Sequence, residues 1–272
     1  MKWLVSENGF VHVCGHRGYS LAAPENTLSA FEAAKDAGAT TCEIDIVLTK
    51  DEEIVVCHDL HLERISNGHG LIADKTLAEL QKLDAGSWFS EEFAGEPIPT
   101  LRETLEYARG NLGLVIEIKE RQRVDKLIEK LGSLLEETGM LGEVIIISFD
   151  HPVLVRVKDH ILNVHTEGIT HARHVNPVRL AKEAKLDSLS IEVDMFHPDD
   201  ARVLHDAGVA IRCHLPRPDE LTFYKNLGLN IESHVVQWLR EGLIDGLSGD
   251  DVAFLRNMLD SYSLEPTKVF GT

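Results

Sequence analysis

The chain has 272 residues, 43% of them hydrophobic and 26% charged, an ordinary globular composition. It carries 27 basic and 45 acidic residues, a formal net charge of −18. That balance argues against nucleic-acid partners and against an anionic membrane surface. Residues 1–10 lack the apolar segment of a secretory leader, and no apolar run approaches the roughly 18 residues of a membrane span. Cys14, Cys42, Cys57 and Cys213 are scattered in apolar runs, which predicts buried free thiols and a cytoplasmic protein.

Short β-branched runs alternate with helical stretches. Strands are predicted at 11–15, 41–47, 114–118, 144–149, 161–166, 188–193, 209–213 and 243–247, with an extra run at 54–57. Asn26 or Thr27 caps a helix that ends at Gly38, and Thr76 with Glu79 and Thr100 with Glu103 form capping boxes. Val124, Leu127, Ile128, Leu131 and Leu135 make one apolar stripe that stops before Gly139. Asn176-Pro177 starts a helix, Gly208 and Gly228 end two others, and 218–227 and 233–241 read as helical. Eight strands alternating with helices over this length predict an α/β TIM (β/α)8 barrel, a single domain over 1–272.

The extra run follows the second strand too closely for a parallel crossover. It therefore returns as a hairpin, turning near Asp51-Glu52 and setting Asp45 opposite His58. Barrel sites lie at the C-terminal ends of the strands. There the sequence gathers His16, Arg17, Glu43, Asp45, His58, Glu117 and Lys119. Glu43 and Asp45, two apart on a strand, share a face and repel unless a cation lies between them. With Glu117 they offer an all-oxygen set suited to Mg²⁺ or Ca²⁺. His16 and His58 suit general acid–base work, and Arg17 and Lys119 suit phosphate oxygens. Together these groups meet the needs of metal-assisted phosphodiester cleavage: removing a proton, supplying one, and neutralising charge.

The segments His16-Arg17-Gly18, Pro24-Glu25-Asn26-Thr27, Ala30-Phe31, Glu43-Ile44-Asp45, Thr49-Lys50-Asp51, His58-Asp59, Leu83-Asp84-Ala85-Gly86, Ile98-Pro99-Thr100-Leu101 and Glu117-Ile118-Lys119 together resemble the glycerophosphodiester phosphodiesterase family. The resemblance implies a barrel with a small subdomain inserted after strand two, at about 60–99. It implies a divalent metal on Glu43, Asp45 and Glu117, acid–base work by His16 and His58, and phosphate binding by Arg17 and Lys119. It implies hydrolysis of a small glycerophosphodiester to glycerol phosphate and an alcohol, within lipid and glycerol metabolism. Water and a substrate hydroxyl both stay open as the attacking group.

The second half departs from the family pattern. Strand seven reads Ile211-Arg212-Cys213-His214-Leu215, and strand eight ends Ser248-Gly249-Asp250-Asp251. These changes leave a sugar phosphodiester open as substrate, with Arg212 and His214 on hydroxyls or a second anion. Glu167, Glu192, Arg212, His214 and Trp238 are the candidate pocket residues. Trp88, Phe89 and Phe93 are expected in a small core of the inserted stretch. A phospholipid-cleaving barrel and a barrel that binds a diester without turnover are the competing readings. A homo-oligomer is compatible with the sequence, although no outer-helix stripe fixes one.

Overall fold

The computed structural model describes residues 3–261. Its strands, in chain order, are β1 (His12–Gly15), β2 (Thr41–Leu48), β3 (Ile54–Val56), β4 (Gly113–Ile118), β5 (Val144–Ser148), β6 (His165–Thr170), β7 (Ser188–Glu192), β8 (Ala210–His214) and β9 (Gly246–Gly249). Its helices are α1 (Val5–Asn8), α2 (Leu28–Asp36), α3 (Leu77–Leu80), α4 (Leu101–Ala108), α5 (Val124–Thr138), α6 (His151–His160), α7 (Pro177–Glu183), α8 (Pro198–Asp206), α9 (Pro218–Asn226), α10 (Ile231–Arg240) and α11 (Val252–Ser261).

Eight strands pair in parallel in the ring β1-β2-β4-β5-β6-β7-β8-β9. Pairing of Cys14 with Thr41 and of Gly15 with Gly249 joins β1 to both neighbours and closes the barrel. The architecture is a TIM barrel, as the alternating pattern predicts. All eight residues of β2 are buried, which explains its nearly unbroken apolar run. Helix α5 buries the predicted stripe, and Gly139 at φ 69° ends it in the left-handed region. Each fully buried Leu or Ile of that stripe contributes about 1.5–3 kcal/mol of transfer free energy. Both predicted capping boxes form, at Thr76 and Thr100. Among the described residues, no helix is long and apolar enough to cross a membrane.

Strand β3 runs antiparallel to β2, as the short connection requires. The register differs from the count by one residue. Thr49 N–H bonds the Glu53 carbonyl at 2.9 Å, so five residues form the turn and Asp51 is its centre. Asp45 therefore faces Cys57, whose N–H bonds the Asp45 carbonyl at 2.8 Å. His58 follows immediately and still reaches the mouth.

Two barrel strands lie elsewhere than predicted. The run at 161–166 is mostly not strand: Ile161 N–H bonds the Val157 carbonyl and caps α6, and β6 begins at His165. Its sequence, His-Thr-Glu-Gly-Ile-Thr, lacks an apolar run because it carries polar work inside the barrel. At Gly168 a Cβ would stand 2.6 Å from Leu186 Cδ1, so a larger residue there would displace that side chain. Strand β9 is likewise displaced from 243–247 to Gly246–Gly249. Leu243 and Ile244 are buried before the strand starts.

The stretch after the hairpin has its own apolar cluster, in which Leu62, Ile65, Ile72, Leu80 and Ile98 pack on Val47 and Val55. Trp88, Phe89 and Phe93 lie outside it, in contrast to the expectation. Their rings stack edge to face at 5.8 and 5.7 Å, with Trp88 exposed. All four cysteines are free and buried.

Candidate active site

Alternation along β2 puts Glu43 and Asp45 on the same face, and the β2–β4 register sets Glu117 beside Asp45. All three are buried, and each offers a carboxylate oxygen within 4.8 Å of the others. Asn26, buried at φ 60°, does not cap α2; Thr27 does. Asn26 instead donates Nδ2 to Asp45 Oδ2 at 2.8 Å and accepts the Asp45 N–H at 3.2 Å. Lys119 Nζ lies 2.7 Å from Glu117 Oε1 and 3.2 Å from Asp45 Oδ1. Glu43 Oε2 accepts the backbone N–H of Arg17 at 3.0 Å.

The cluster is unbalanced. Burial and the neighbouring carboxylates raise the Glu43 pKa, and burial with Asp45 raises that of Glu117. Burial acts upward on Asp45 too, but Lys119 and Arg17 more than offset it and hold its carboxyl below the usual range. Glu43 Oε1 is buried with no hydrogen-bond partner, whereas Asp45 Oδ1 has the Lys119 ammonium 3.2 Å away. Buried oxygens of this kind are rare without a ligand. Their spacing lets one ion at the usual 2.0–2.6 Å touch all three groups. The donor set fits a hard divalent cation.

Each histidine is held through Nδ1 by a carboxylate. His16 Nδ1 lies 2.7 Å from Asp250 Oδ1, and His58 Nδ1 lies 2.7 Å from Asp59 Oδ1. This arrangement places the Nδ1 proton toward the carboxylate and leaves Nε2 to face the cavity side of the ring. His16 Nε2 is 4.0 Å from Glu43 Oε2. Burial would lower the His16 pKa, but the Asp250 hydrogen bond and Glu43 bring it above the usual value. Arg64, from the stretch after the hairpin, forks onto Asp59 and onto Glu25. The guanidinium is the largest influence holding the Asp59 carboxyl well below the usual range.

Arg17 bonds Glu25 at 2.9 Å, and its Nε, 3.6 Å from Asp45 Oδ2, has no hydrogen-bond partner. The turn that presents it needs left-handed backbone at Arg17 (φ 58°) and Gly18 (φ 84°). A Cβ on Gly18 would stand 2.7 Å from the Ala30 carbonyl carbon. Gly18→Ala is therefore expected to cost at least about 1–3 kcal/mol, read as a lower urea midpoint.

The mouth is a cavity of about 370 Å³ lined by His16, Arg17, Glu43, His58, Glu117 and Lys119 on one side and by residues of β5 to β8 on the other. That volume is ordinary for a small-molecule site. Of the candidate pocket residues, Glu192, Arg212 and His214 line it. Glu167 does not: with β6 starting at His165 it sits inside the barrel, 1% exposed, where it accepts Arg212 Nε at 3.0 Å and Nη2 at 2.5 Å. Trp238 does not either; on α10 it packs against Phe196 and His234. His214 stands edge-on to His16 at 5.1 Å. Burial, then the charges of His16 and Arg212, pull its pKa down to about 3, so it is neutral at ordinary pH. Asn26, Arg64 and Asp250 carry tasks that the sequence does not announce. Asp250 lies 234 residues from His16, while Asn26 and Arg64 reach Asp45 and Asp59, 19 and 5 residues away, through irregular segments.

Fold and site together define an α/β barrel whose C-terminal mouth carries a buried three-carboxylate cluster and two carboxylate-oriented histidines. The model of the glycerophosphoryl diester phosphodiesterase family matches residues 16–253. The chain belongs to that family. It is 43% identical over 149 residues to a glycerophosphodiester phosphodiesterase of Caldanaerobacter subterraneus subsp. tengcongensis, covering 54% of this chain and 61% of the relative. It is 36% identical over 174 residues to one of Bacillus subtilis, covering 59% of each. The matched stretch thus spans about three fifths of these curated relatives. A phosphodiesterase of Oleispira antarctica, solved in complex with the product sn-glycerol-3-phosphate, superposes with a TM-score of 0.81 at 26% identity, over 94% of this chain and 99% of that one.

Proposed function

We propose that the protein is an enzyme hydrolysing a small glycerophosphodiester to a glycerol phosphate and an alcohol. The observation that carries this reading is the orphaned oxygen of Glu43, one of three buried carboxylates, beside His16 at the barrel mouth. Glu43, Asp45 and Glu117 would hold Mg²⁺ or Ca²⁺. Bound there, the cation supplies neutralisation of charge on the phosphate. Arg17 and Lys119 hold the non-bridging oxygens and orient the diester. One histidine Nε2 takes the proton of the attacking hydroxyl as its oxygen bonds to phosphorus. The other gives a proton to the alcohol oxygen as its bond to phosphorus breaks. Asp59 and Asp250 keep both rings in the required orientation.

Residues 1–272 are read as one barrel domain with an insertion at about 60–99, which supplies Arg64 behind Asp59. The free thiols support a cytoplasmic setting. A sugar diester is the second reading, supported by His214 at the mouth. Arg212 is not available to it as a second anion site, being forked onto Glu167.

Asp250→Asn is expected to lower turnover by about tenfold or more with little change in Tm, because orienting carboxylates act through the ring they hold. The function itself is tested with glycerophosphocholine, glycerophosphoethanolamine, glycerophosphoglycerol and several sugar diesters, with divalent cation supplied. Release of glycerol phosphate supports it. Turnover confined to a sugar diester moves the assignment to the second reading. Binding without product from any of them overturns the enzymatic one.

A further inference from the structure

Arg17 and His58 stand on different segments, yet an unbroken line of charged hydrogen bonds joins them. Arg17 Nη1 bonds Glu25 Oε1 at 2.9 Å. Arg64 bonds the same carboxylate through Nη1 and Nη2, both at 2.7 Å. Its Nε and Nη2 bond Asp59 at 2.6 and 3.0 Å, and Asp59 holds His58 Nδ1. Arg64 thus links the acid behind Arg17 to the acid behind His58. Its Nη2 serves both carboxylates, which lie close enough to repel each other without it. Arg64 comes from the inserted stretch. It stands in a turn where the Ile65 and Ser66 N–H groups return to the Leu62 carbonyl, with Leu62 and Ile65 buried in the insert's apolar cluster. A second tie is Glu96, which accepts the Ser29 hydroxyl at 2.8 Å and the Ser29 N–H at 3.3 Å in the first turn of α2. Both ties fall on the chain that runs from β1 into α2. That chain carries His16, Arg17 and Asn26, and Arg17 and Asn26 have left-handed backbone. Such a conformation persists only where the surroundings hold it.

We propose that Arg64 is a positioning residue that sets His58 and Arg17 together, and that the inserted stretch serves the site as the frame of this clamp. The inference rests on the diesterase reading and deepens it. Arg64 does not line the cavity. It acts on kcat through Asp59 and His58, and on KM through Glu25 and Arg17. Its side chain is 45% exposed, so its ion pairs add little to global stability. Turnover and Tm therefore separate when it is removed.

Steady-state kinetics on one cleaved diester, with divalent cation supplied, tests the clamp. Arg64→Ala is expected to lower kcat and to raise KM by about tenfold each, the size of one charge-assisted hydrogen bond, with little change in Tm. Glu25→Gln should move chiefly KM, and Asp59→Asn chiefly kcat. Adding Arg64→Ala to Asp59→Asn should then raise KM without lowering kcat further, because the path to His58 is already cut. Added guanidinium ion should restore part of the rate in Arg64→Ala. Values of kcat and KM that stay within about twofold in Arg64→Ala overturn the proposal while the diesterase reading stands. An equal loss of kcat with and without Asp59 also overturns it, as does a loss that comes with a lower Tm and resists guanidinium. If no diester is cleaved, that reading falls, and the hydrogen-bonded Nδ1 proton of His58 decides the clamp, followed by NMR of protein labelled with ¹⁵N-histidine. A shift of that signal in Arg64→Ala supports the proposal; an unchanged signal overturns it.

Discussion

Glu43→Gln is expected to abolish turnover and at the same time to make the metal-free protein more stable. The two effects have one cause. Glu43 is fully buried beside Asp45 and Glu117, and burial and like charge raise its pKa in the fold. A carboxyl whose folded pKa lies above its unfolded value binds protons more tightly when folded. It therefore costs stability at pH values above the unfolded 4.5, increasingly until the folded value is passed. Glutamine keeps the shape without the charge and removes that cost, as replacing poorly compensated buried charges commonly does. In EDTA at neutral pH the variant should melt higher, by about 2–4 °C for each kcal/mol recovered in a chain of this size. The difference should shrink as the pH is lowered toward 4.5. The same substitution takes away one of the oxygens proposed to hold the cation and should lower turnover by more than about 100-fold, the upper range for losing only an outer partner of a ligand. A variant that melts lower in EDTA and stays active would show Glu43 to be a structural acid.

His16→Ala and His58→Ala are each expected to lower turnover by about 10²–10⁴-fold, the usual contribution of one general acid or base. Neither ring is buried in the apolar core, and the three carboxylates are placed by the pairing of β2 with β4. Tm and divalent-ion binding should therefore change little. The rings come from separate segments, His16 from the turn after β1 and His58 from the end of the hairpin, and each is anchored by a different acid. Added imidazole should restore part of the rate in each variant, because only the acid–base group is missing. Full activity in His58→Ala would mean that the hairpin does not deliver a catalytic group.

The placement of the carboxylates was legible in the sequence where it rests on short-range rules. Alternation within Glu43-Ile44-Asp45 predicts a shared face, and the parallel neighbour adds Glu117. The hairpin was legible from its length, but an odd turn centred on Asp51 moved Cys57, not His58, opposite Asp45. The errors arose where the barrel interior is polar or small. Strand β6 hides because Glu167 and Gly168 replace the apolar run, and its late start turns Glu167 from a mouth residue into the buried counterion of Arg212. Trp238 reads as a pocket residue only if its helix leans over the mouth; it packs on Phe196 instead. The strand-eight ending that departs from the family pattern supplies Asp250, the acid on His16. A departure in pattern here carries a positioning contact.

Calorimetric titration of the EDTA-stripped protein with Mg²⁺ and with Ca²⁺, run beside the turnover of one cleaved diester at each point, tests whether Glu43, Asp45 and Glu117 hold the cation on which turnover depends. One ion per chain is expected, with turnover rising in step with occupancy and both lost in Glu43→Gln. Full turnover in the stripped protein, or ion binding that survives in Glu43→Gln, would contradict it.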